Sequence, residues 1–87
     1  MTVYVDALND WGWRLGPSCH LLADTDEELH EFAARIGMKR AWFQPKSTPH
    51  YDLTASRREK AVKLGAREVT RGELRALIRA KRERSRT

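Results

Sequence analysis

Eighty-seven residues suffice for one domain and are too few for two that each bury a useful core. Hydrophobic residues make up 40% of the chain and charged residues 33%. That balance excludes a disordered segment, and no apolar run approaches the roughly 20 residues that span a bilayer. The net charge of +5 is unevenly placed: residues 1–53 carry 5 Lys/Arg against 8 Asp/Glu, and residues 54–87 carry 12 against 4. An acidic front therefore leads into a basic back able to attract anions.

In chain order, Val3 to Val5 has the β-branched and aromatic content of a short strand that ends on Asp6. Residues 6–18 follow as a loop whose turn residues are mixed with Trp11, Trp13 and Arg14, a composition that predicts a packed flap. A second apolar run, Cys19-His20-Leu21-Leu22-Ala23, ends on Asp24. The start Met1-Thr2-Val3-Tyr4 lacks the basic flank and apolar centre of a signal peptide, which makes a cytoplasmic location the expectation. Cys19 has no second cysteine to pair with, and in an apolar strand it reads as a small core residue rather than a nucleophile.

Thr25 and Glu28 form a capping box, and Leu29, Phe32, Ala33 and Ile36 recur at helical spacing before Gly37 ends the helix. His30 falls on the flank of that stripe, open to packing or to a ligand. Trp42 and Phe43 read as core residues closing one end of the domain. Pro49 stiffens the approach to His50-Tyr51-Asp52-Leu53. Thr54 then caps a second helix that runs to Leu64 and stops at Gly65. Arg57 and Arg58 lie on its buried side, where they either pair with front-half carboxylates or face a bound anion. A strand at Arg67-Glu68-Val69 precedes a third helix, capped by Thr70 with Glu73 and striped by Leu74, Leu77 and Ile78. Residues 84–87 read as a frayed basic tail beyond a single domain at 1–83.

This order predicts a small α/β domain, with a mostly parallel sheet of three to four strands and about three helices. With strands running the same way, Asp6, Asp24, Asp52, His20 and His50 collect at the edge where open α/β sheets bind ligands. A hairpin at 6–18 would instead place Asp6 and Asp24 at opposite ends.

Two functional classes follow. In the first, Asp6, Asp24 and Asp52 hold Mg²⁺ or Mn²⁺ through hard oxygen ligands, while His20, His50 and Asp52 carry the acid/base chemistry of a nuclease-like or phosphoryl hydrolase. Arg14, Arg57 and Arg58 would clamp phosphate, with His30 and Tyr51 as further ligand contacts. A zinc or manganese site built from His20, His50 and Asp52 is a variant of this reading. In the second class the domain is a non-catalytic nucleic-acid-binding or adaptor module. Its basic helices meet phosphates, Trp11 and Trp13 offer stacking surfaces, and the His/Asp cluster is a structural hydrogen-bond network. Either class implies a phosphate-bearing partner, nucleic acid or small molecule, and no membrane.

Several short motifs carry a likeness: Val5-Asp6, Trp13-Arg14, His20-Leu21 with Ala23-Asp24, Glu28-Leu29-His30 with Phe32-Ala33, Trp42-Phe43-Gln44, His50-Tyr51-Asp52-Leu53 and Gly65-Ala66. Together they resemble a small bacterial and phage family, domain of unknown function 4031. The likeness covers nearly the whole chain and implies no activity.

Overall fold

In the computed structural model, residues 2–10, 12, 14, 16–45 and 48–85 are described. The chain forms β1 (Val3–Val5), β2 (Ser18–Ala23), α1 (Asp26–Arg35), a single 3-10 turn at Arg40–Trp42, β3 (Tyr51–Thr54), α2 (Ala55–Lys63), β4 (Arg67–Glu68) and α3 (Arg71–Ser85). The four strands make one sheet in the order β3-β2-β1-β4. Among the described residues, no helix is long and apolar enough to cross a membrane.

The sheet is mixed and mostly antiparallel, which corrects the expectation of parallel strands: β2 runs antiparallel to both β1 and β3, and only β1 and β4 run parallel. The reason lies in the connections. Asn9 and Ser18 exchange backbone hydrogen bonds of 2.8 and 2.9 Å, closing the segment after Asp6 as a hairpin, and a hairpin reverses the strand. Apolar runs announce strands but carry no direction.

Because side chains alternate along a strand, the sheet has two distinct faces. Val5, Cys19, Leu21, Ala23, Tyr51 and Leu53 pack against α1 and α2 through Leu29, Phe32, Ala33, Ile36 and Ala61, forming the main core. On the other face Tyr4 and Leu22 meet Val69 and Leu74, with Leu77 and Ile78 beside them, so α3 covers part of that face. The caps form where the sequence placed them. Thr25 accepts from the amide of Glu28 at 3.2 Å, Thr54 from Arg57 at 3.4 Å and Thr70 from Glu73 at 3.1 Å. Glycines at φ +79° (Gly37) and +105° (Gly65) end α1 and α2 in a conformation that side chains disfavour.

Phe43 packs against the core, but Trp42 is 44% exposed. That corrects the expectation that both aromatics close the core. The 3-10 turn points adjacent side chains in different directions, so only one of the two can face inward.

Candidate functional site

The polar cluster follows from strand register. His20 stands opposite Asp52, and the amide of Asp6 donates to the carbonyl of His20 at 3.4 Å. Asp6, His20 and Asp52 therefore form a row across three strands, on the face that α3 partly covers. His50, two residues before Asp52, points to the same face.

Each member of the row is held by a second group. The buried Asp6 accepts from the His20 amide at 2.6 Å through Oδ1, and its Oδ2 meets His20 Nδ1 at 2.9 Å. An ionised carboxylate only accepts, so His20 carries its proton on Nδ1. His50 Nδ1 likewise donates to the carbonyl of Thr48 at 2.7 Å. Both imidazoles consequently turn Nε2 toward Asp52 Oδ1, His20 at 4.0 Å and His50 at 3.6 Å. The two rings meet edge to face with centroids 5.3 Å apart. Asp52 Oδ2 accepts from the side-chain amide of Gln44, which leaves Oδ1 facing the imidazoles.

The charges reinforce this geometry. The hydrogen bond to Asp6 holds the pKa of His20 above the ordinary imidazole value against the opposing effect of burial. Burial works against ionisation of Asp6, yet the ring and amide of His20 outweigh it and bring the Asp6 carboxyl below its usual range. Arg58 donates from Nε to the Asp6 carbonyl at 2.8 Å and pairs with Glu68 at 3.1 Å, tying α2 and β4 to the end of β1.

One ligand atom from each of His20, His50 and Asp52 fits within 4.8 Å of the others. Two imidazoles and a carboxylate oxygen, with the Nδ1 protons occupied elsewhere, match in type the donors that open three-ligand metal sites use, and partners on Nδ1 are the kind that orient such ligands.

The other candidates are distributed elsewhere. Asp24 ends β2 at the opposite end of the sheet from Asp6, where it accepts from Tyr4 Oη at 2.9 Å and from the Thr2 amide at 3.2 Å. Tyr51 and His30 lie on the helix-covered face, joined at 2.8 Å between Oη and Nδ1, with Phe43 packed against both rings. Burial raises the pKa of the Tyr51 phenol. Tyr51→Phe should cost about 1 kcal/mol of stability by removing that hydrogen bond, measured by chemical denaturation. The same variant should leave any response to metal unchanged.

Arg57 donates to the carbonyl of Ile36 at 3.1 Å and lies over the Trp42 ring at 5.7 Å. Arg14 is exposed in the β1–β2 connection. Its neighbours Trp11 and Trp13, the expected stacking surfaces, lie outside the described residues. Cys19 is buried, and burial pushes its thiol up to about 12, far from a nucleophile's range.

Sequence reasoning missed the supporting roles of Gln44 and of the Thr48 carbonyl, and it placed Asp6 among ligands rather than behind one. Gln44 has a polar amide beside two aromatics as its sequence signal. A backbone acceptor has none. A groove of about 700 Å³ begins at Gln44 and Asp52 and continues past Thr54 to Trp42 and Arg57.

Fold and site together define a small α/β domain carrying a His/His/Asp cluster on one face of a mixed sheet. The family described as "Protein of unknown function (DUF4031)" matches residues 3–81, and the chain belongs to it. Searches of curated proteins and of solved structures found no match.

Proposed function

We propose that this domain binds a divalent metal ion through His20, His50 and Asp52 and hydrolyses phosphate esters there. The observation that carries the reading is the convergence of two Nε2 atoms on Asp52 Oδ1, with each Nδ1 held by a separate acceptor. Imidazole-rich sites suit zinc or manganese better than magnesium, which prefers oxygen ligands and retained water. A metal held there supplies positive charge to a phosphoryl oxygen and an acidified water as nucleophile. The chain's own part is orientation. Asp6 and Thr48 fix the two rings, Gln44 fixes the carboxylate, and the side chains of His20, Asp52 and His50 remain 34%, 28% and 21% exposed, so a substrate can reach them.

Hydrolysis of bis(4-nitrophenyl) phosphate tests this directly. Turnover should require Mn²⁺ or Zn²⁺, stop with EDTA and fall at least 100-fold in Asp52→Asn. Equal rates in wild type and variant would sink the proposal.

A second reading treats the domain as a non-catalytic nucleic-acid-binding or adaptor module. It draws support from the excess of 12 basic over 4 acidic residues after position 53, and from Asp6 and His20 already satisfying one another. Under that reading metals leave stability unchanged.

A further inference from the structure

Four of the basic residues of α3 share one flank of it. Arg71, Arg75, Arg79 and Arg82 recur at spacings of four, four and three, which puts them on one flank beside the apolar stripe of Leu74, Leu77 and Ile78. All four are exposed; of the two carboxylates of the helix, Glu73 falls on another side and Glu83 stands one turn after Arg79 at the edge of the row. The row spans about 16 Å at 1.5 Å per residue.

Its position matters as much as its charge. The Val69 amide donates to the Val5 carbonyl at 2.9 Å, so α3 starts beside the strand end that carries Asp6. The helix lies on the same sheet face as the His/Asp cluster. The arginine row thus leads to the cluster from one side. From the cluster the groove at Asp52 leads to Trp42, whose exposed ring has the Lys39 ammonium at 5.6 Å and the Arg57 guanidinium at 5.7 Å from its centroid.

We infer that the arginine flank of α3 and the Trp42 groove together form a track for single-stranded nucleic acid. The phosphates follow Arg71, Arg75, Arg79 and Arg82, and an unstacked base lies against Trp42. Charge complementarity selects a polyanion, and a row of cations paired with an exposed aromatic flanked by cations is how single strands are held without sequence readout. The proposal deepens the phosphoryl-hydrolase reading by naming its substrate class. Strand binding itself does not depend on that reading.

The test is fluorescence anisotropy with a labelled 12-nucleotide oligo-dT in EDTA, so that metal plays no part. Wild type should bind with steep salt dependence. Arg75→Glu with Arg79→Glu should weaken binding more than tenfold and flatten the salt slope by about 1.4, at roughly 0.7 for each phosphate no longer neutralised. Lys60→Glu with Lys63→Glu, an equal charge change on α2, should change it less than twofold. Trp42→Ala should weaken binding about tenfold.

Equal losses in the two charge-reversed proteins would overturn the track, since net charge alone would then explain binding. Tighter binding of duplex than of single strand, or an unaffected Trp42→Ala, would overturn the single-strand assignment. A failed metal site would leave every one of these binding results intact, so the two ideas fail separately.

Discussion

Asp6→Ala should destabilise the metal-free domain by about 3 kcal/mol in urea denaturation. The carboxylate is buried and accepts both the amide and the ring N–H of His20. Its removal strands two donors, each costing about 1–3 kcal/mol. For a domain of this size the loss is a large part of a total stability of roughly 5–15 kcal/mol. The milder Asp6→Asn fixes the pH dependence. The Asp6 pKa is lowered on folding, so its contribution is present above the ordinary carboxyl value of 3.8 and fades as pH falls through the folded value. The His20 pKa is raised, so its contribution is full below the ordinary imidazole value of 6.5 and fades as pH rises through the folded value. The stability gap between wild type and Asp6→Asn should therefore be widest between about pH 4 and 6.5 and narrow on either side. A gap independent of pH would mean that the pair is not ionic.

Saturating Zn²⁺ or Mn²⁺ should raise Tm by about 10–20 °C at a metal concentration 100 times Kd. Ligand binding to the native state then contributes about 2.7 kcal/mol, and each kcal/mol moves a domain of this length by about 4–8 °C. His50→Ala and Asp52→Ala each remove one of three ligand atoms and should abolish the rise. Asp24→Ala, at the far end of the sheet, should keep it. A rise of equal size in all four proteins would place the metal elsewhere.

Much of the fold was legible in the residues, for identifiable reasons. Capping boxes at Thr25/Glu28 and Thr70/Glu73 and the stop glycines Gly37 and Gly65 are short-range signals, and the helices begin and end by them. Strand direction was not legible, because it depends on whether residues 6–17 close on themselves. The Asn9–Ser18 bridge closes them, but the turn residues between would serve a crossover as readily as a hairpin. That one difference separates Asp24 from Asp6.

His20 and Asp52 meet for a reason the sequence hid in part. A polar residue between apolar neighbours in each run announces the face. The pairing register that sets the two opposite one another comes from tertiary contacts. Trp42 and Phe43 carried the same apolar signal, and the 3-10 turn at Arg40–Trp42 sent them to different environments.

The proposed site requires two imidazoles and one carboxylate to share a metal. Zinc K-edge X-ray absorption on the protein loaded with one equivalent of Zn²⁺ addresses it atom by atom. Two imidazole nitrogens should appear at about 2.0–2.1 Å, and that pair should be lost from the zinc shell in His50→Ala. A shell of oxygen scatterers alone, unchanged in that variant, would contradict it.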